Sequence, residues 1–460
     1  MHKQRMREEN FQTEVSSRAF SWGKVRWIAA LAAALCALLW RPATAQAQEV
    51  DSSAASAIVI DAQHGTVLLS HQAEVERPMA STTKVMTALL ALEECDLTEL
   101  VTAGHNAFGV PGTSIYLSEG ETLTMEDMLY GLMLASGNDA AVAIAEHIDG
   151  SVAAFCERMT ARARELGCEH TVFLTPHGLP QDGHYTTAHD LALIAREAMK
   201  NETFMKICST ASYVVPATNM SEERELYTTN SLISNWRIMG YQYDGADGIK
   251  TGSTEESGYC LVSSAKRSGR RLVAVVLGCK GNGATVESFS ESAKLYNWAY
   301  NNFSMRQVAA TDELYRQPVA LSKQTDTVML YPAQSVEAFL PKDAKDEDIR
   351  KSVTLKEDVV NAPITAGQEL GTLTITYNDQ VCAEVPLLAQ ADVSASRFLV
   401  AKAAVEAFFA KTWVKLALVA VVVLVIVFIL WLKLGRRSRR YGSRGGKRRQ
   451  RRAYRGRRRW

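Results

Sequence analysis

Ser81-Thr82-Thr83-Lys84-Val85-Met86-Thr87-Ala88-Leu89-Leu90 sets a hydroxyl and an amine three residues apart at the entry to an apolar helical run. Side chains three apart on a helix share a face, so Ser81 at the helix start and Lys84 one turn on lie side by side. A serine needs such a partner to lose its proton during attack. To accept that proton Lys84 must be neutral, far below the unperturbed value of ~10.4, which requires burial and a neighbouring positive charge. Serine and lysine are common, and a chain of this length holds about two such pairs by chance. The pair therefore gains meaning only from the rest of the chain.

Two further groups supply it. Ser136-Gly137-Asn138 follows the apolar run Met128 to Leu134 and precedes Asp139 and an apolar helix from Ala140 to Ile148. By itself it describes a loop with a helix cap equally well. Lys250-Thr251-Gly252 closes a β-rich run and leads into Ser253-Thr254, and alone it reads as a strand end with a turn glycine. Together the three offer a nucleophile with a base, a second hydroxyl with an amide, and a strand-edge lysine with a hydroxyl. That set covers attack, proton relay and anion recognition. In this order and at these junctions it should arise by chance in fewer than ~1 in 100 chains.

Around these groups, Ala57-Ile58-Val59-Ile60-Asp61 and Thr66-Val67-Leu68-Leu69 flank His64-Gly65 and predict an opening β-hairpin. Helical periodicity runs from Thr82 to about Lys200, broken at Gly104 to Gly112, Gly137, Gly150 and Thr175 to Gly183. Short β-rich runs follow at Ala246 to Thr251, Tyr259 to Ala265 and Leu272 to Leu277. Strands early and late with helices between them predict one sheet shared by distant segments, hence an α/β or α+β class. From 305 to 391 alternation takes over, as in Leu373, Ile375 and Tyr377 before the turn Asn378-Asp379, which predicts a small all-β domain.

The ends carry the topology. The net charge of +1 hides 14 basic and no acidic residues from Arg436 to Trp460 and a basic surplus of 4 from Met1 to Ala45; the remainder is about −17. Residues 1–47 have the order of a secretory signal, with Arg18, Lys24 and Arg26, then an apolar run, then Ala43, Ala45 and Ala47. A retained anchor is the alternative. Residues 393–413 predict an amphipathic juxtamembrane helix, or else a plain helical stalk. Residues 414–434 predict a transmembrane helix flanked by Trp413, Lys415, Trp431 and Lys433. The basic tail, 435–460, is expected in the cytoplasm, with the acidic body outside the cell membrane. Its arginines suit topogenesis and anionic lipid better than nucleic acid, which is not expected as a partner. Eight cysteines show neither a disulfide framework nor metal-ligand spacing, so no metal and no cofactor is expected.

The motifs Ser81-Thr82-Thr83-Lys84, Ser136-Gly137-Asn138 and Lys250-Thr251-Gly252 resemble those of penicillin-binding proteins, specifically the low-molecular-mass serine D-alanyl-D-alanine carboxypeptidases. Pro78-Met79-Ala80, Gly112 to Leu117, Thr175 to Leu179 and Asp247-Gly248-Ile249 extend the similarity, which covers roughly Ala57 to Ala391. The resemblance implies a serine β-lactamase-like catalytic domain with a helical subdomain over 50–304. It implies that Ser81 attacks the bond between the terminal D-alanines of a peptidoglycan stem peptide, and that β-lactams acylate Ser81. Lys84 is then the base and Ser136 the proton relay. Asn138, Lys250, Thr251, Gly252 and Ser253 bind substrate, with the N–H groups of Ser81 and Ser253 forming the oxyanion hole. Relatives often carry an arginine after the strand that follows the lysine motif. None occurs between Arg271 and Arg306, which leaves Lys280 as a substitute cation.

Two other readings compete. A serine β-lactamase needs a deacylating carboxylate, and none lies between Thr171 and Leu179. A membrane-bound β-lactam or cell-wall sensor needs an output domain, for which the basic tail lacks apolar periodicity.

Overall fold

The computed structural model describes residues 52–441, with side chains to 433, so the expected signal segment and most of the basic tail lie outside the described residues. The chain forms two compact units. The first runs through Ser304 and takes in Phe339–Ile349 and Thr376–Cys382; the second comprises Met305–Ala338, Arg350–Ile375 and the chain from Ala383.

The first unit is built on a five-stranded antiparallel sheet. Its strands are β1 (Ser56–Asp61), β2 (Val67–His71), β3 (Ala246–Thr254), β4 (Gly258–Arg267) and β5 (Arg270–Cys279), in the order β2-β1-β5-β4-β3. The opening hairpin thus pairs with the last strand of the unit, as the early and late β-runs predict. Successive side chains of a strand point to opposite faces. Ile58 and Ile60 join one core cluster with Val262, Val273 and Val275, while Ala57 and Val59 join another with Leu261, Leu272, Ala274 and Val276. A sheet covered on both faces explains why these strands read as nearly unbroken apolar runs.

The first cluster holds the helices α1 (Lys84–Glu94), α2 (Met125–Met133), α3 (Asn138–Asp149), α4 (Val152–Glu165), α5 (Ala188–Ala198) and α6 (Glu202–Cys208). Val85, Met86, Leu89 and Leu90 of α1 are buried in it. On the opposite face α7 (Glu287–Asn302) contributes Phe289, Leu295, Tyr296 and Ala299. Thr124, Ser151, Thr187 and Asn201 cap α2, α4, α5 and α6 through their side-chain oxygens, which satisfies otherwise orphaned N–H groups. The entry to α1 has no such cap: a 3-10 turn, Ala80–Thr83, leads directly into it.

A six-stranded sheet, most of it in the second unit, contains β6 (Tyr315–Ala320), β7 (Thr327–Pro332), β8 (Ile349–Leu355), β9 (Val360–Asn361), β10 (Glu369–Tyr377) and β11 (Gln380–Ala389), in the order β8-β10-β11-β7-β6-β9. The expected hairpin at Asn378-Asp379 is present, with both residues at positive φ. Two helices follow, α8 (Arg397–Ala410) and α9 (Thr412–Tyr441). Of α9, Thr412–Lys433 has 22 residues with a mean hydropathy of 3.1 and is long and apolar enough to cross a membrane. At 1.5 Å per residue it reaches about 33 Å.

The one-sided apolar face expected of the juxtamembrane helix is not there. Phe398, Leu399 and Val400 are consecutive and all exposed, and consecutive helical residues point about 100° apart. Val405, Phe408 and Phe409 are exposed as well. Apolar side chains therefore point to several sides of α8, with Lys402 and Glu406 paired one turn apart among them, and no single apolar face stands out.

Candidate active site

Ser81 sits on the 3-10 turn, so its backbone N–H lies at a helix entrance where amides lack intrahelical acceptors. Ala80, just before it, has φ of 47° and turns the chain sharply into the helix. Three contacts hold that turn. Thr83 Oγ1 donates to Ala80 O at 2.8 Å. His184 Nδ1 accepts from the Leu174 N–H at 3.0 Å, which leaves the proton on Nε2, 3.0 Å from Thr83 Oγ1. Gly178 packs so closely that a Cβ there would lie 1.8 Å from Ala80 O.

Lys84 is fully buried, and its Nζ lies 2.9 Å from Ser81 Oγ, 2.7 Å from Asn138 Oδ1 and 2.8 Å from His177 O. Two of these partners, an amide oxygen and a carbonyl, can only accept. A neutral amine would give its two N–H groups to them and turn its lone pair to the Ser81 hydroxyl. Burial, and secondarily the positive charge of Lys250, hold Lys84 well below the usual lysine value, while Asp139 opposes them. Asp139 itself is engaged by Ser114 Oγ at 2.6 Å and by the N–H groups of Ile115 and Leu117. It fixes the 112–117 segment along the site.

Asn138 opens α3 and donates from Nδ2 to Pro111 O at 2.6 Å, which sets its Oδ1 toward Lys84. Ser136 is buried with φ of 62°, a left-handed conformation that costs a non-glycine residue about 1–3 kcal/mol. Its carbonyl accepts from Thr113 Oγ1 at 2.5 Å. On the other side, β3 brings in the third group. Lys250 is buried beneath it, donates to Thr251 O at 3.0 Å, and is lowered to about 7 by desolvation. A Cβ on Gly252 would lie 2.9 Å from Ser81 N and 3.0 Å from Thr82 N, so glycine lets the strand pass against the helix entrance.

A cavity of about 350 Å³ opens between these segments. Ser81, Ser136, Asn138, Thr251, Gly252 and Ser253 line it, while Lys84 and Lys250 lie under its wall. Ser81, Lys84, Ser136, Asn138, Lys250, Thr251, Gly252 and Ser253 thus meet in one place. Arg237 also lines the cavity and was missed. It lies 13 positions before Lys250 with no motif around it, on a segment fixed by the stacking of Trp236 on Tyr227 at 3.8 Å. Lys280 is exposed and is not among the lining residues. Thr229, which pairs with Thr251 through hydroxyls 2.6 Å apart, and the His177 carbonyl were likewise invisible in the sequence.

A hydroxyl facing a buried amine, between a strand edge and a helical subdomain, defines the class of serine acyl-enzymes that bind penicillin. Comparison with known proteins agrees. Residues 42–281 match the peptidase S11 family model, D-alanyl-D-alanine carboxypeptidase, and residues 303–395 match the C-terminal domain of penicillin-binding protein 5. The chain is 33% identical over 356 residues to the D-alanyl-D-alanine carboxypeptidase DacF of Bacillus subtilis, covering 76% of this chain and 88% of the relative. It is 30% identical over 361 residues to DacA of Escherichia coli, covering 75% and 85%. The crystal structure of penicillin binding protein 5 from Haemophilus influenzae superposes with a TM-score of 0.59 at 29% identity, over 75% of this chain and 98% of that one. The chain belongs to the serine-type D-alanyl-D-alanine carboxypeptidase family and is a hydrolase of that specificity.

Proposed function

We propose that this protein cleaves the terminal D-alanine from peptidoglycan stem pentapeptides through an acyl-enzyme on Ser81. The observation that carries the residue roles is the set of three contacts at Lys84 Nζ, two of them to pure acceptors. With its lone pair toward Ser81, Lys84 takes the hydroxyl proton as Ser81 Oγ bonds to the penultimate D-alanine carbonyl carbon. The carbonyl oxygen gains negative charge, which the N–H groups of Ser81 and Ser253 stabilise. As the amide C–N bond breaks, Ser136 passes the proton from Lys84 to the departing amine. Water then attacks the ester, returning a proton to Ser81 and releasing the shortened peptide. β-Lactams enter by the same first step and remain as esters.

Asn138 binds the substrate amide and holds Lys84. Thr251 supplies a hydroxyl to the terminal carboxylate, and Lys250 a positive field. Since Lys250 titrates near 7, the permanent charge of Arg237 on the cavity wall is the better-placed counter-ion for that carboxylate. Thr412–Lys433 anchors the protein in the bilayer, with the acidic body on the extracytoplasmic side and the basic tail inside.

Ser81→Ala and Lys84→Arg, each assayed for D-alanine release from a pentapeptide and for labelling by fluorescent penicillin, test the assignment. Both should lose label and release by at least about 100-fold, because general-base catalysis contributes about 10²–10⁴. Full labelling of Ser81→Ala would remove it from the mechanism. Release of D-alanine only from spheroplasts permeabilised to substrate would reverse the topology.

A further inference from the structure

The far ends of the two helices that carry the reaction converge on a second group of side chains. Cys95 caps the C-terminus of α1, Glu99 follows it in the turn before Leu100–Thr102, and His147 stands in the last turn of α3. One ligand atom of each, Cys95 Sγ, a Glu99 carboxylate oxygen and a His147 ring nitrogen, lie within 4.8 Å of one another. His147 Nε2 is 2.9 Å from Glu99 Oε1. Tetrahedral bonds of about 2.0–2.3 Å set ligand atoms about 3.3–3.8 Å apart. Closing onto a metal therefore needs shifts of about 1 Å, which the exposed Glu99 side chain can supply.

The donor set is selective. A thiolate and an imidazole favour zinc and its neighbours over magnesium or calcium, which take oxygen ligands. Cys95 is also unlike the other described cysteines, which are buried and away from solvent. Burial first, and then the negative charges of Glu99, Glu94 and Asp96, push its thiol up to about 11. That field opposes a bare thiolate but favours a cation that would neutralise one.

We propose that Cys95, Glu99 and His147 form a binding site for a zinc-class divalent cation that clamps the C-terminal ends of α1 and α3. On binding, the Cys95 S–H bond breaks, a sulfur–metal bond forms, and the proton leaves to solvent. His147 gives a ring lone pair and Glu99 an oxygen, and water completes the fourth position. The site lies 11 residues beyond Lys84 on one helix and 9 beyond Asn138 on the other, about 13–17 Å away at 1.5 Å per residue. Its role is therefore to fix the two helices that set the Lys84–Asn138 contact and not to touch substrate.

The test is Co(II) titration of the reduced, metal-stripped full chain in detergent. One equivalent should raise a near-ultraviolet thiolate-to-cobalt band that Zn(II) displaces and Mg(II) does not, and Zn(II) should raise the unfolding temperature. Cys95→Ser and His147→Gln should each lose the band and the thermal shift while still taking one equivalent of fluorescent penicillin, which shows that they are folded. No band at one equivalent, or a band that persists in Cys95→Ser, overturns the site. If Cys95→Ser does not fold, Glu99→Gln, which keeps the thiol, must weaken Co(II) binding at least tenfold, or the site is rejected.

Discussion

Lys84 Nζ lies 2.7 Å from Asn138 Oδ1, so the first residues of two helices 54 positions apart share one buried proton-bearing atom. The amide oxygen orients the amine without charging it, and that distinction can be measured. A carboxylate in the same place stabilises the ammonium form and raises the Lys84 value. Asn138→Asp should therefore lower acylation by penicillin about 100-fold at pH 7 and move the acid limb of the rate profile to higher pH, with recovery as pH rises. An unshifted limb would mean that Lys84 is not the titrating base.

Gly252 is constrained by contact and not by turn geometry. An alanine methyl would press on the Ser81 and Thr82 amides at 2.9 and 3.0 Å, the first of which is one of the two proposed oxyanion donors. Gly252→Ala is expected to slow acylation at least about 100-fold, the scale of losing one oxyanion donor. Its thermal midpoint should change far less than its activity. Stopped-flow acylation beside calorimetry separates the two.

Arg237 should act on binding. Arg237→Gln is expected to raise KM for carboxylate-ended peptides about tenfold or more with a smaller change in kcat, and Arg237→Lys to recover part of the loss. Lys280→Gln should leave both constants near their starting values, since Lys280 is outside the cavity lining. Steady-state kinetics on one pentapeptide decides between the two cations.

His184 is buried and His177 half-buried, and both are held neutral, at about 4 and about 3, by desolvation first; Lys84 and His184 add to the effect at His177. Their folded values lie below the unfolded value of ~6.5. The stability they confer is therefore fully present above about pH 6.5 and is lost as pH falls through the folded values. Protonated His184 could no longer accept from Leu174 N. Urea unfolding should show a loss between pH 6.5 and 4, and His184→Gln should reduce that slope by up to about 1.4 kcal/mol per pH unit. An unchanged slope would mean that His184 does not stay neutral in the fold.

The opening hairpin and the late strands were legible because a sheet covered on both faces imposes long apolar runs, and no other element of that length fits Ala57–Ile60 or Leu272–Leu277. Residues 414–432 were legible for a similar reason: only a bilayer or a deep core tolerates such a run, and in the structure its window is 6% buried. The α8 segment was misread because mixed apolar and charged composition suggests a face, whereas a face depends on angular order, and Phe398-Leu399-Val400 breaks it.

By itself the sequence singled out the groups proposed to do the chemistry. Ser81 with Lys84, Ser136 with Asn138, and Lys250 with Thr251 are local pairs, and short-range helix and strand geometry suffices to place each pair. Only the tertiary structure decided how the pairs face one another. It set Lys84 between Asn138 and the His177 carbonyl, drew Arg237 into the cavity in preference to Lys280, and brought Cys95 and Glu99 to His147. The physical reason is that these are contacts between helix ends, strand edges and loops whose separation in the chain carries no periodic signal. They exist because packing against one sheet leaves each segment a single position.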